Sequence, residues 1–233
     1  MIIHEKLHIG DIPTIVYGEQ SDKVFLFVHG KCGNKEEAAD FAKIVCSYGY
    51  QVISIDLPES GERKDKAKLV PWEVTIELGS VMTYIKERWQ SISLRATSIG
   101  AWFSMLSFED VDFKKCLLVS PMLDMVQLIN NMMQWAGVSV QMLEKKQEIE
   151  TEFGETLSCQ YYNYANEHSH KPWKDCTYIL YGTQDNMISQ ETVEAFANKY
   201  GCKLAIMENG EHWFHTEEQV SFMNEWTRNI LNS

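Results

Sequence analysis

A serine, a histidine and an aspartate with the chemistry of a nucleophile, a base and an acid follow three separate predicted strands: Ser98, His212 and Asp185. A serine hydroxyl is a weak nucleophile at neutral pH and needs a general base, a task that suits histidine, whose pKa is ordinarily about 6.5. The histidine in turn needs a carboxylate that fixes its tautomer and stabilises the imidazolium. The chain order of serine, aspartate and histidine is the order expected for loops that leave a mostly parallel sheet. The pattern therefore predicts acyl transfer to a serine hydroxyl.

The residues around Ser98 predict a sharp turn between a strand and a helix. An alternating run over 92–96 predicts the strand, and Gly100 and Ala101 begin an apolar helix. A serine on such a turn has a strained backbone, and its hydroxyl points out of the sheet. Small residues are needed at Ala96, Gly100 and Ala101 because strand and helix pass close to each other there. An ordinary turn that happens to carry a serine is the alternative, since the motif is short.

Acyl transfer also requires preorganised hydrogen-bond donors for the oxyanion of the tetrahedral intermediate. The backbone N–H of Ile99, directly after the serine, is one predicted donor. The other is the backbone N–H of Lys31, which follows His29 and Gly30 at the end of an apolar strand. We expect His29 to orient this loop by hydrogen bonding rather than to transfer protons.

Short apolar strands alternate with helices along the chain, which predicts a doubly wound, mostly parallel sheet with helices on both faces. Residues 2–9 and 13–17 alternate apolar and polar positions and predict a hairpin at one edge of the sheet. Continuous apolar runs predict strands that are covered on both faces. These further strands are predicted at 24–28, 51–56, 116–119, 177–181 and 203–207, and helices at about 34–48, 71–89, 189–200 and from 216 onward.

The stretch 121–172 interrupts this alternation. We find no convincing strand in it and predict a helical, cap-like insertion over the carboxyl edge of the sheet, within a single domain that covers 1–233. Methionine side chains adapt to varied apolar groups, and the stretch is rich in them, so we expect it to form a wall of the substrate pocket. The alternative is that these methionines fill the seam between insertion and core. The expected pocket residues are Met122, Met125, Met133, Trp135 and Trp213.

The composition narrows the possible partners. The chain has 233 residues, of which 45% are hydrophobic, and a formal net charge of -12. A well-buried core is therefore expected, and nucleic acid or an anionic membrane is disfavoured as the main partner. The six cysteines are scattered, and His168 and His170 are predicted to lie in a solvated loop, so we expect no metal and no cofactor. The first residues lead straight into a strand, and no run approaches the length of a membrane span, so we expect a cytoplasmic protein.

Taken in order, five segments resemble motifs of the α/β-hydrolase fold superfamily, and the resemblance covers essentially the whole chain. They are 27–30, 56–61, 96–100, 180–185 and 210–214. The resemblance implies an α/β-hydrolase fold, with Ser98 as nucleophile, Asp185 as acid and His212 as base. The sequence departs from the family pattern at Ala96, where the elbow usually has its first glycine, and at Ser60, where a histidine is common.

Two acids and two bases compete for the assignments. Asp185 could serve only as a turn residue, and Asp124 is a rival acid because some superfamily members place the acid there. His215 is a rival base close to His212. The expected function is a serine hydrolase that cleaves a carboxylic ester or thioester with an apolar group through an acyl-enzyme. A peptidase, a C–C bond hydrolase and a ligand-binding protein without turnover are the alternatives, and the oligomeric state is open.

Overall fold

The central element of the computed structural model, which describes residues 2–169 and 173–233, is an eight-stranded sheet. Its strands are β1 (His4–Ile9), β2 (Ile12–Tyr17), β3 (Lys23–Val28), β4 (Gln51–Ile55), β5 (Ser91–Thr97), β6 (Cys116–Val119), β9 (Thr177–Gly182) and β10 (Lys203–Met207), while β7 (Glu148–Glu150) and β8 (Thr156–Ser158) form a separate hairpin. The strand order across the sheet is β1-β2-β4-β3-β5-β6-β9-β10. Within this eight-stranded sheet, the β1–β2 and β2–β4 pairings are antiparallel and the other five are parallel. The predicted mostly parallel sheet with an edge hairpin is confirmed.

The helices predicted from about 71, 189 and 216 begin within one residue of those positions, at Pro71, Gln190 and Glu217. The α-helices of the structure are α1 (Ala38–Val45), α2 (Pro71–Lys86), α3 (Ile99–Ser107), α4 (Met125–Trp135), α5 (Val140–Lys146), α6 (Cys159–Glu167), α7 (Gln190–Tyr200) and α8 (Glu217–Leu231). The side chains of Ser189 and Thr216 accept hydrogen bonds from backbone N–H groups of the first turns of α7 and α8. Short 3₁₀ turns flank α1, and Trp89 lies beyond the end of α2 rather than on it.

The sheet has an apolar core on each face because side chains alternate along its strands. On β5, Leu94 and Ala96 contribute to the core that packs against α2 and α3. On β3, Phe25 and Phe27 contribute to the opposite core with α1 and α8. Helices therefore cover both faces, as in a doubly wound α/β fold.

The prediction that 121–172 contains no strand is wrong. After α4 and α5 the chain forms the β7–β8 hairpin before α6. Each strand has only three residues, too few for a periodicity signal. Leu157 of β8 is buried in the main core, so tertiary packing stabilises the hairpin. The boundaries of the insertion remain a prediction, and His170, predicted to lie in a solvated loop, is outside the described residues.

A helix that crosses a bilayer needs about 20 consecutive, mostly apolar residues. None of the described helices combines the length and the apolar character needed to cross a bilayer.

Candidate active site

Ser98 occupies a strained turn between β5 and α3. Its φ of 51° and ψ of -124° lie outside the regions that non-glycine residues favour. Three backbone hydrogen bonds hold it there: its N–H donates to Val119 O (3.1 Å), and its carbonyl accepts from Ala101 (3.0 Å) and Met122 (3.1 Å). The surrounding structure therefore determines the direction of the hydroxyl.

The turn depends on glycine where the α3 backbone meets the end of β3. A Cβ atom on Gly100 would lie 2.3 Å from His29 O and 2.8 Å from Val28 O. A Cβ atom on Gly30 would lie 3.3 Å from the Cβ of Ser98. The loop after β3 thus packs directly against the serine, which brings the N–H groups of its following residues to the same corner of the sheet.

The three loops that carry Ser98, Asp185 and His212 meet at the carboxyl end of the sheet. His212 Nε2 lies 2.8 Å from Ser98 Oγ, and His212 Nδ1 lies 2.7 Å from Asp185 Oδ2. The Asp185 carboxylate is fully buried, whereas the His212 side chain is 21% exposed. A neutral imidazole that donates from Nδ1 to the carboxylate and accepts from the serine hydroxyl satisfies both contacts. This arrangement can remove a proton from the serine.

Backbone contacts hold the acid and base loops together. The second oxygen of Asp185, Oδ1, accepts from the N–H groups of Met187 (2.8 Å) and Ile188 (3.3 Å), which aims Oδ2 at the imidazole. A Cβ atom on Gly182 would lie 2.3 Å from Gly210 O, so the two loops touch through their backbones. Asp185 is thus a turn residue as well as the partner of the histidine.

The rival acid and base make other contacts. Asp124 Oδ1 accepts from Gln127 N at 2.8 Å and caps α4. His215 Nδ1 lies 2.7 Å from Trp213 O and 3.3 Å from Glu211 Oε2. In this structure neither one forms the hydrogen bonds that join the serine, the histidine and Asp185.

His29 orients the loop after β3 by hydrogen bonding, as predicted. Its Nδ1 lies 2.6 Å from Gly30 O, and its Nε2 accepts from Leu57 N at 3.0 Å. The ring is fully buried, and this burial lowers the pKa of His29. The neutral ring therefore links the loops after β3 and β4.

A buried ion pair that the sequence reading did not predict reinforces the same link. Lys35 Nζ lies 2.8 Å from Asp56 Oδ2, and Asp56 also accepts from the backbone N–H of Lys35 (2.8 Å) and of Glu62 (2.8 Å). A buried ion pair adds little net stability, but separating its two charges would leave each one buried and unpaired. The pair therefore holds the loops after β3 and β4 in a fixed relative position. The sequence feature that could have indicated this ion pair is Asp56, an aspartate at the end of a strand predicted to be buried.

A second buried cation lies just below the serine on β5. Arg95 Nη1 donates to Ala96 O (3.0 Å) and to Thr97 Oγ1 (3.0 Å), and its guanidinium packs near the rings of Phe27 and Phe41. Burial lowers the pKa of Arg95 to about 9. The sequence reading assigned no function to this residue, because a charge within a strand does not reveal which face is covered.

The loop after β3 also contacts the insertion. The Lys31 ammonium pairs with the Glu155 carboxylate, which lies in the turn of the β7–β8 hairpin. Lys31 therefore has its backbone beside the serine and its side chain on the insertion. Nothing in the sequence pointed to Glu155, because 124 residues separate the two.

The five expected pocket residues divide into two environments. Met122, Met125 and Met133 are buried in the main core, where they fill the seam between insertion and sheet. Trp135 is 58% exposed and Trp213 is 73% exposed. Their participation in a substrate pocket stays a prediction.

Comparison with solved structures shows that the chain has the α/β-hydrolase fold. Est1E from Butyrivibrio proteoclasticus, solved with ferulic acid bound, matches with a TM-score of 0.72 at 18% identity over 98% of each chain. Mouse alpha/beta hydrolase domain-containing protein 10 matches with a TM-score of 0.74 at 13% identity, over 99% of this chain and 98% of that one. The Pyrococcus furiosus esterase Pf2001 matches with a TM-score of 0.68 at 16% identity, over 100% and 89%. No family model matches the sequence, and no curated protein does.

Proposed function

We propose that this protein is a serine hydrolase that cleaves a carboxylic ester or thioester through an acyl-enzyme intermediate. The observation that carries the proposal is the continuous line of hydrogen bonds from Ser98 through His212 to the buried Asp185. A serine nucleophile needs a base that accepts its hydroxyl proton and a carboxylate that hydrogen-bonds to the other nitrogen of that base, and these hydrogen bonds supply both.

In the first half of the reaction, Ser98 Oγ attacks the carbonyl carbon while its proton passes to His212 Nε2. Asp185 remains ionised and stabilises the imidazolium through Nδ1. The N–H groups of Ile99 and Lys31 stabilise the oxyanion, a contribution of about 3 kcal/mol for each donor in comparable sites. The intermediate then collapses, and the leaving alcohol or thiol takes the proton from His212.

In the second half, water attacks the acyl-serine, with His212 again accepting a proton. The second tetrahedral intermediate expels Ser98 Oγ, which regains its proton from the imidazolium, and the carboxylic acid is released. Each chemical step uses water and groups on the four loops that follow β3, β5, β9 and β10, so the proposal invokes no cofactor.

The proposed substrates carry an apolar acyl or alcohol group of small to medium size. The exposed Trp213 directly follows the base, and the methionine-rich insertion adjoins the Ser98 turn through the bond from Met122 N to Ser98 O. Est1E was solved with ferulic acid, which makes a hydroxycinnamate ester a sensible member of a test series.

The proposal is tested with p-nitrophenyl acetate, butyrate and octanoate, an acyl thioester and methyl ferulate, using wild type and Ser98→Ala. We expect Ser98→Ala to lose at least about 10⁴-fold in kcat/KM. Ser107→Ala is the matched control, because Ser107 lies at the other end of α3 and bonds only to Phe103 O among its described hydrogen bonds. Equal rates for wild type and Ser98→Ala would remove the acyl-enzyme mechanism.

A fluorophosphonate probe separates the remaining alternatives. Labelling that maps to Ser98 by mass spectrometry, with turnover of an ester, supports the proposal. Labelling without ester or thioester turnover points to a peptidase or a C–C bond hydrolase. A Ser98 that stays unlabelled favours a ligand-binding protein that has the fold without the activity.

A further inference from the structure

Arg95 lies in the core near the end of β5, the strand that carries the serine. Its side chain is buried, and its guanidinium lies beside the rings of Phe27 and Phe41, on the face of the sheet that α1 and α8 cover. Among the described residues no ion pair includes Arg95, and its Nε has no hydrogen-bond partner. A buried cation without a paired carboxylate costs free energy. Departures of this kind are expected at functional sites.

The guanidinium holds the backbone directly before the nucleophile. Arg95 Nη1 donates to Ala96 O and to Thr97 Oγ1, each at 3.0 Å. Thr97 also packs against the loop after β3, because a Cβ atom on Gly30 would lie 3.6 Å from Thr97 O and 3.9 Å from Thr97 Cγ2. Arg95 therefore fixes the residue that lies between Ser98 and the loop with the proposed second oxyanion donor.

The other amino group of the guanidinium reaches α8, the helix that follows the base loop. Arg95 Nη2 donates to Met223 Sδ at 3.3 Å. One turn earlier on α8, the buried Gln219 side chain accepts from His215 N at 3.1 Å and donates to the carboxylate of the residue directly before His212 at 3.3 Å. Residues four apart share one face of a helix. The same face of α8 thus holds the base loop and contacts Arg95.

We propose that Arg95 is a positioning residue, which sets the separation of Ser98 Oγ and His212 Nε2 by joining the serine's strand to the helix that holds the base loop. Where it concerns turnover, the inference rests on the proposed hydrolase function. A planar guanidinium donates in several fixed directions, so one side chain can hold Ala96, Thr97 and Met223 together. Misplacing a reacting group by about 1 Å can cost about 10²-fold in rate.

The first test measures kcat and KM for p-nitrophenyl butyrate in Arg95→Met, which removes the donors and leaves an apolar side chain in the core. We expect kcat to fall by about 10- to 30-fold with KM within about twofold. The Tm should stay close to that of wild type, because the buried charge is removed together with its bonds. A purely structural residue would instead lower the Tm and leave kcat for the folded protein unchanged.

Thr97→Val removes one acceptor of the guanidinium and keeps the shape of the side chain. Its kcat should fall several-fold, and the double variant with Arg95→Met should lose no more than Arg95→Met alone, because both changes break the same link. Ser93→Ala is the matched control. Ser93 is buried on the same face of β5, two residues before Arg95, and its hydroxyl has no partner among the described residues, so kcat should be unchanged.

The second test needs no turnover. In protein labelled with ¹⁵N in its histidines, the resonance of His212 Nε2 depends on the hydrogen bond from the serine hydroxyl, and Ser98→Ala gives the position without that bond. We expect the resonance in Arg95→Met and in Thr97→Val to move from the wild-type position towards that of Ser98→Ala. In Ser93→Ala it should remain at the wild-type position.

The proposal fails if kcat in Arg95→Met stays within twofold of wild type, or if the His212 resonance of that variant does not move. The same two results in Thr97→Val overturn it even where Arg95→Met does not fold. It also fails if wild type and Ser98→Ala have the same resonance, since there would be no bond to maintain. A wild type that cleaves no ester or thioester contradicts the hydrolase function instead, and the resonance then decides the role of Arg95.

Discussion

His212 Nε2 lies 2.8 Å from Ser98 Oγ although 114 residues separate the two in the chain. The contact exists because β5 and β10 both end at the same edge of the sheet, and because their loops are held by glycine contacts and by the bonds of Asp185. A strained serine and an imidazole therefore meet in a geometry suited to proton transfer.

Replacing His212 by alanine should abolish ester cleavage. We expect kcat to fall by about 10⁴-fold or more, because the serine loses its proton acceptor. Labelling by the fluorophosphonate probe should slow in parallel. His215→Ala is the matched control and should retain activity within about twofold, since His215 contacts the Trp213 carbonyl and Glu211. A larger loss in His215→Ala than in His212→Ala would reassign the base.

Asp185→Asn tests the carboxylate without changing its shape. An amide at this position favours the wrong imidazole tautomer, so kcat should fall by about 10³- to 10⁴-fold while the Tm changes little. Asp124→Asn is the control, because asparagine also caps a helix and α4 should be preserved. Full activity in Asp185→Asn would show that the carboxylate is only a turn residue.

Gly100→Ala should destabilise the protein by about 2 kcal/mol or more, because the new methyl group would meet the backbone oxygen of His29 at 2.3 Å. The comparison is Gly79→Ala, on α2, where a Cβ atom meets nothing within 4 Å. That change should stabilise the fold by about 0.5 to 1 kcal/mol through helix propensity. Urea unfolding measures both. A Gly100→Ala protein as stable as wild type would mean that the turn relaxes freely.

The contact of Lys31 with Glu155 should affect substrate binding more than stability. Both side chains are partly exposed, so Lys31→Met, which keeps the backbone N–H, should change the free energy of unfolding by less than about 1 kcal/mol. We expect KM to rise several-fold with little change in kcat, because the hairpin loses its attachment to the loop beside Ser98. The exchanged pair Lys31→Glu with Glu155→Lys should restore KM. An unchanged KM in Lys31→Met would mean that the ion pair of Lys31 with Glu155 does not affect substrate binding.

The buried His29 should make stability fall at mildly acidic pH. The folded-state pKa of His29 lies below its ordinary value of about 6.5, so the unfolded chain binds the extra proton as the pH falls through that value. The free energy of unfolding should then drop by about 1 kcal/mol more between pH 7.5 and 5.5 in wild type than in His29→Gln. Urea titrations at the two pH values give the difference. If the free energy of unfolding decreased equally in wild type and in His29→Gln, groups other than His29 would account for the acid sensitivity.

Some strands and helices of this chain could be predicted from the sequence, and others could not. Local sequence patterns predicted the strands at 24–28 and 203–207 and the helix at 189–200, because each of these signals lies within one element. They did not predict the β7–β8 hairpin, since its three-residue strands are held by Leu157 in the distant core. That Met133 fills the seam between insertion and core was one of the two interpretations that the sequence allowed.

The sequence by itself determined the order of strands and helices outside the insertion, the sharp turn at Ser98, and a short set of candidate acids and bases. Only the tertiary structure showed that His212, rather than His215, contacts Ser98, and that Asp185, rather than Asp124, contacts His212. It alone revealed the pairing of Lys35 with Asp56. Local sequence patterns show which residues form a strand or helix and which of its faces is apolar. The meeting of loops depends on the order and twist of a whole sheet, which no single segment encodes.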